Sequence, residues 1–390
     1  MSKTIKYPNQ KKAGPTLTDN LNKIKKTDFT TFMFKEIFEQ PKTISDILAS
    51  HIILDKVQVK FAELKKIEKK LKRIKNITIV ACGSSWHASL VGELLIEQLA
   101  KIPVEVEDAS EFRYRNPIIG PDSLVIAISQ SGETADILAT LKLAKKKHVV
   151  IFSLCNVVGS TMTKLADASC YLQTGPEISV AASKSFTAEL TMLTLLAIYL
   201  GRLNKKLKKQ ETQRILKELI KIPGLIKSLL DKNKEILLLA QKLKTATNFL
   251  YLGRGYNFPI ALEGALKLKE ISYIQAEGYP MGAIKHGPMA LIDKKMTVIF
   301  IATQDKIDNK IIVDIAEVKA CGAKIIALAS KGDKKISEVA DQIIYMPKIL
   351  DLLMPTLNII PLQLLAYYMA QLKGHNIDQP RNLTKVVERK

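Results

Sequence analysis

The stretches "ITIVACGSSW" (77–86) and "FLYLGRGYNF" (249–258) each run a short, β-branched apolar segment into a glycine-bearing loop and then into a helical pattern. A second pair, "LVIAISQSGE" and "TVIFIATQDK", repeats the relation at the same offset of about 170 residues, which marks the duplication of a whole domain. Within each half, further apolar runs alternate with helical segments: "VEVEDA", "VVIFSLC" and "ASCYLQT" in the first, "KIIALAS" and "QIIYMP" in the second. Short runs that are apolar throughout read as strands buried on both faces of a parallel sheet. Their alternation with helices predicts a doubly wound α/β architecture, present twice.

Around the two copies the pattern is helical. "FMFKEIFEQ" reads as a helix stopped by Pro41, and "KVQVKFAELKKIEKKLKRIKN" as a longer basic helix. Residues 1 to about 30 are polar, lysine-rich and aperiodic, the composition of a mobile tail or linker. The expected organisation is a tail over 1–31, a helical lead-in over 32–67, a first domain over 68–208, a helical linker over 209–239, a second domain over 240–377 and a C-terminal tail over 378–390.

Composition narrows the function. An apolar content of 47% in 390 residues supports two real cores. The net charge of +21 is mostly lysine spread along the chain, which reads as a solvated surface that attracts anionic substrates rather than as a nucleic-acid footprint. Cys82, Cys155, Cys170 and Cys321 lie far apart, with no ligand spacing to the histidines, so neither disulfides nor a zinc site are expected and a reducing cytoplasm fits. The N-terminus lacks the apolar core of a signal peptide. "LTMLTLLAIYLG" and "IIPLQLLAYYMA" fall short of the roughly 20 residues that span a bilayer and read as buried helices. No membrane or nucleic-acid partner, metal or cofactor is expected.

In an open α/β sheet, ligands collect beyond the carboxyl ends of the strands where strand order reverses. Two loops of the first domain meet that description, Gly83-Ser84-Ser85 and Ser129 to Thr134. The hydroxyls of either loop could simply cap the helix that follows. They could also hold an anion, because helix N-termini present free N–H groups and a positive dipole end. Two such loops in one crevice favour the anion, and the second copy, with Ala302-Thr303-Gln304-Asp305-Lys306, has no equivalent cluster. "GRGYNF" carries Phe258 where a dinucleotide motif needs a third glycine.

The helix opened by Pro259 places Glu263, Lys267 and Glu270 on one face. Such a stripe is either a solvated ion-pair ladder or a carboxylate tuned by lysine for proton transfer. His286, just before Gly287-Pro288, is either a structural hydrogen-bonder or an acid–base group. Lys385 near the end is either solvated or, with the tail folded over the pocket, a Schiff-base nucleophile.

"FMFKEIFEQP", "ACGSSW", "ASEFRYR", "SQSGETAD", "VAASKSFT", "YLGRG", "ALEGALKLKEISYI", "KHGPMALID" and "DQPRNLTK" occur in this order. From about Phe32 to Glu388 the chain resembles the isomerase half of the glucosamine-6-phosphate synthases. The resemblance implies two tandem sugar isomerase (SIS) domains, each a doubly wound five-stranded parallel sheet between helices in three layers. It implies conversion of fructose 6-phosphate to glucosamine 6-phosphate, with the phosphate on Ser84, Ser85, Ser129, Gln130, Ser131 and Thr134. Glu270 would move a proton between C1 and C2, His286 would open the ring from a neighbouring subunit, and Lys385 would form the imine. Glu263 and Lys267 would position the reacting groups, with Val180 and Thr384 lining the substrate. A homodimer with shared sites follows. The glutaminase domain that opens such enzymes on a nucleophilic cysteine has no counterpart before Cys82, so the nitrogen would be ammonia, free or from a separate glutaminase subunit. Two residues depart from the family pattern: Ala283 stands where a glutamate is usual, and Ala182 where a hydroxyl is common. A glucosamine-6-phosphate deaminase of the same fold and a sugar-phosphate-sensing module are the rival readings.

Overall fold

The computed structural model describes residues 30–303 and 309–385. The tail expected over 1–31 therefore lies outside the described residues except for Thr30 and Thr31. So do the loop residues Gln304, Asp305 and Lys306 and the end of the C-terminal tail, including Glu388.

Two five-stranded parallel sheets dominate. The first is built from β1 (Asn76–Ala81), β2 (Val104–Asp108), β3 (Ser123–Ser129), β4 (Val150–Cys155) and β5 (Ala168–Tyr171), in the order β2-β1-β3-β4-β5. The second comprises β6 (Asn248–Gly253), β7 (Gln275–Pro280), β8 (Met296–Ala302), β9 (Lys324–Ser330) and β10 (Gln342–Met346), in the order β7-β6-β8-β9-β10. The two orders are the same permutation, as the repeated motifs require. The central strands β3, β4 and β8 are buried at every residue, which is why they read as unbroken apolar runs. Strand β7, "QAEGYP", carries no such run because it is a half-exposed edge. It is the one strand of these two sheets that the sequence pattern does not reveal.

The helices that matter for the site are α1 (Phe32–His51), α2 (Gly83–Ala100), α3 (Ala135–Lys146), α4 (Lys184–Leu203), α5 (Asn257–Ser272), α6 (Asn309–Ala320) and α7 (Met354–Leu372). The charged stretch between the domains forms three helices, Lys209–Leu219, Ile222–Leu230 and Asn233–Leu243. Helices α2 and α5 follow the first strand of their respective copies and pack on one another across the domain boundary. The long apolar helices α4 and α7 are core elements. Both are long and apolar enough to cross a membrane, yet 83% and 94% of their apolar windows are buried within the fold.

Two expectations fail. Helix α1 does not stop at Pro41 but continues to His51. A proline inside a helix removes one N–H and leaves the carbonyl four residues earlier without its partner. Here Gln40 Nε2 donates to that carbonyl, Ile37 O, at 2.9 Å. The second correction concerns 56–76, expected as a long basic helix. It forms a two-residue antiparallel ribbon (Ile52–Ile53 with Gln58–Val59), a 3-10 turn (Glu63–Ile67) and a single helical turn (Glu68–Leu71). The alternating "VQV" prefers extended backbone, and Val59, Phe61, Leu64, Ile67 and Leu71 turn inward without a sustained helix.

Candidate active site

In the first sheet the strand order reverses between β1 and β3, and a cleft of about 170 Å³ opens beyond their carboxyl ends. Ser84 and Ser85 enter it from the start of α2, and Ser129, Gln130, Ser131 and Thr134 from the loop between β3 and α3. Glu270 on α5, Val180 and Ala182 before α4, and Lys385 on the C-terminal tail complete the wall. These ten residues, all singled out in the sequence, thus share one cleft.

The hydroxyls do not cap helices. Thr134 at the start of α3 makes no side-chain cap, nor does Cys82 at the start of α2. Instead Ser129 Oγ accepts from Gly132 N at 3.1 Å and pairs with Thr134 Oγ1 at 3.0 Å, while Ser131 Oγ accepts from Glu133 N at 3.2 Å. The loop is bent into a cup. Gly132 at φ +67 is obligatory in it, since a Cβ there would stand 2.2 Å from Ser160 Oγ. Two helix starts and a set of hydroxyls that cap neither helix border one small cleft, an arrangement suited to a phosphate.

Beneath the cleft lies a chain of charges. Lys267, fully buried, has its Nζ 3.4 Å from Glu263 Oε1 and 2.5 Å from Glu270 Oε2, and donates to Ser84 Oγ at 3.1 Å. The solvated-stripe reading of this helix face is therefore wrong. Burial would pull the Lys267 ammonium down, but the carboxylates of Glu263 and Glu270 outweigh it and raise its pKa. Glu263 is equally buried, and Lys267, His87 and Ser84 reverse the upward push of desolvation to hold it below the ordinary carboxylate value. His87 Nδ1 lies 2.7 Å from Glu263 Oε2 and Ser84 Oγ donates to Glu263 Oε1 at 2.9 Å, so α5 of one domain and α2 of the other are joined through this carboxylate.

Lys385 donates to Glu177 Oε2 at 2.8 Å and to Ser179 O at 2.6 Å. The tail does fold over the cleft. It is fastened by Asp378, whose carboxylate accepts from Phe32 N and Met33 N at the start of α1 and whose carbonyl accepts from Val180 N. Glu177 is fully buried; desolvation pushes it up, but Lys385 and the N–H groups of Ser183 and Ser185 hold it at about 2. On the other side of the same loop, Glu36 of α1 accepts from Ile178 N and Ser179 N. Burial and the nearby Glu177 raise it to about 8. Cys82 in the cleft is no thiolate, as burial and Asp108 push it up to about 11.

Four expected residues do not line the cleft: Glu263 and Lys267 lie beneath it, and Thr384 and His286 lie away from it. Thr384 stands exposed beside Lys385. His286 ends an exposed 3-10 turn, Met281–His286, and is absent from the cleft of its own chain. Ala283 lies on that same turn. The sequence reading overlooked His87, Glu177, Glu189 and Glu36, which belong to no periodic pattern. One signal was available: Glu189 is the only charge in "SFTAELTMLTLLAIYLG", and a lone acid in an apolar helix has a buried partner.

The SIS domain model matches residues 70–199 and 242–373. The glutamine–fructose-6-phosphate aminotransferase (isomerizing) of Chlorobaculum tepidum is 49% identical over 385 residues, which cover 99% of this chain and 62% of the relative. The corresponding protein of Bacteroides thetaiotaomicron is 48% identical over 94% of this chain and 60% of its own length. The chain thus spans about three fifths of the curated relatives it matches. Among solved structures, the C-terminal domain of glucosamine-fructose-6-phosphate aminotransferase from Francisella tularensis aligns with a TM-score of 0.86 and 36% identity, over 92% of this chain and all of that one. Glucosamine-6-phosphate deaminase from Thermotoga maritima, at 21% identity and a TM-score of 0.71, shares the fold.

Proposed function

Since the chain belongs to the SIS domain family and, within it, to the group of glucosamine-fructose-6-phosphate aminotransferase C-terminal domains, we propose that it converts fructose 6-phosphate, with ammonia, to glucosamine 6-phosphate. The observation that carries this reading is the meeting of a hydroxyl-lined anion seat, a lysine and a carboxylate in one cleft. The 6-phosphate sits on Ser84, Ser85, Ser129, Gln130, Ser131 and Thr134. That places the carbonyl end of the open-chain sugar towards Lys385 and Glu270.

Lys385 adds to the C2 carbonyl and, with loss of water, forms a protonated imine that acidifies the adjacent C1–H. Ammonia displaces the lysine at C2, and Glu270 carries a proton from C1 to C2, leaving nitrogen on C2 and an aldehyde at C1. Lys267 holds Glu270 in place. Glu177 takes the place of water around the Lys385 ammonium, so the lysine enters the cleft aligned. His286 opens the sugar ring in the cleft of a second subunit, which requires a homodimer; the ammonia is free or comes from a separate glutaminase subunit.

The test is to incubate the purified chain with fructose 6-phosphate and ammonium and measure glucosamine 6-phosphate. Ammonia release from glucosamine 6-phosphate, with no amination at high ammonium, would replace this reading with that of a deaminase. Sugar-phosphate binding with neither reaction would leave a sensing module.

A further inference from the structure

Glu189 lies on α4, directly behind the cleft wall, and is 1% exposed. Its Oε1 accepts from Ser85 Oγ at 2.8 Å, while its Oε2 is buried without a hydrogen-bond partner. Ser85 lines the cleft, and among the described residues Lys385 is the only cationic side chain in its lining. A phosphate held there depends on neutral donors, so each hydroxyl proton counts.

A serine hydroxyl has one proton to give. While Glu189 is ionised, that proton points away from the cleft, and Ser85 offers a phosphate only lone pairs. Once Oε1 is protonated, the acid donates to Ser85 Oγ and frees the hydroxyl proton for the phosphate. The geometry points to Glu189 as a specificity-determining positioning residue: it sets whether Ser85 donates or accepts, so that a phosphate monoester dianion binds together with one proton on Glu189. This rests on the reading of the cleft as a phosphate seat.

The groups that act on Glu189 come from two helices, the loop before α4 and the tail. They are Ser85 on α2, Glu177 on the loop before α4, Glu263 on α5 with its partners His87 and Lys267, and Lys385 on the tail. Burial, reinforced by Glu177 and Glu263 against the pull of Ser85 and Lys385, raises the carboxyl to about 8. Above that pH, binding would weaken by up to tenfold per pH unit. The second ionisation of a phosphate monoester, near pH 6, lies below this window, so the ligand contributes no slope there.

The experiment is calorimetric titration of the full chain with fructose 6-phosphate at pH 7, 8 and 9. The Kd should rise about tenfold from pH 7 to 9. Glu189→Gln, isosteric and without a titrating proton, should abolish the slope. Ser85→Ala should bind more weakly at pH 7 and be equally flat, giving a second route if the Gln variant fails to fold. A wild-type Kd that does not change, or a slope that persists in Glu189→Gln as it would if Lys385 titrated, overturns the inference. No binding by the unaltered chain at any pH would instead overturn the phosphate reading beneath it.

Discussion

The two sheets share one strand order, yet their equivalent crevices are filled in opposite ways. In the first, β1 and β3 end in loops that leave hydroxyls and helix starts facing a cleft. In the second, the cavity of about 320 Å³ at the corresponding ends of β6 and β8 is lined by Gly255, Tyr256, Asn257 and Thr303, and its buried polar groups pair with one another. Asn257 Nδ2 donates to Ile301 O at 3.2 Å, and Asn358 Nδ2 donates to Asn257 Oδ1 at 2.9 Å and to Thr303 Oγ1 at 2.6 Å, all of it buried. Gly253 lets α5 start this close, because a Cβ there would lie 2.1 Å from Asn257 O. The twin helices differ in the same manner: α2 serves the cleft with its first turn, α5 with the flank bearing Glu263, Lys267 and Glu270. A duplicated fold repeats the position of a crevice without repeating its lining, and the second copy contributes Glu270 to the wall of the first copy's cleft.

The largest test of that division is Lys267→Met. Removing the cation leaves the buried Glu263 and the partly buried Glu270 without their shared partner, and a broken buried pair costs about 3–5 kcal/mol. Urea denaturation should report that loss, and turnover should fall at least 100-fold in whatever protein remains folded. Lys385→Ala separates chemistry from folding: product formation should vanish in either direction while sugar-phosphate binding stays within severalfold. Surviving turnover would remove Lys385 from the imine role.

The crevices themselves can be set against each other. Asn358→Ala in the second should destabilise by about 1–3 kcal/mol through unpaired buried partners and leave the Kd for fructose 6-phosphate unchanged. Ser129→Ala in the first should do the reverse. If Asn358→Ala weakens sugar binding as much as Ser129→Ala does, the second crevice is no mere packing site.

The smallest effect concerns the cost of gathering acids around one cleft. Glu36 is raised from 4.5 to about 8, so between those pH values the folded chain holds a proton that the unfolded chain has released. Its contribution to stability is therefore complete below pH 4.5 and lost as pH rises to 8. Glu36→Gln should raise Tm at pH 8 by roughly 2–4 °C and leave it nearly unchanged at pH 4.5. An equal shift at both pH values would show that the carboxyl does not titrate as its burial implies.

The strands and their duplication were legible because a sheet covered on both faces imposes uninterrupted apolar runs. The edge strand β7 was not, because half its residues meet solvent. Pro41 misled because the side chain that compensates for it, Gln40, looks like any other polar residue in a one-dimensional reading. At the site, local spacing revealed Glu263, Lys267 and Glu270, which share a helix face, and the serines, which cluster in loops. It could not reveal that His87 meets Glu263 or that Glu177 meets Lys385, since those contacts join residues 176 and 208 positions apart.

Every group that holds Lys385 in place precedes it in the chain: α1 through Asp378, then the loop of Glu177 and Ser179. A polypeptide emerges from the ribosome amino end first, so the nucleophile is delivered after both domains have been made. A chain interrupted between α7 and the tail contains both sheets and the serine-lined cleft, but it lacks the lysine to which the imine is assigned. During synthesis, the proposed capacity to capture a sugar phosphate therefore precedes the proposed capacity to transform it.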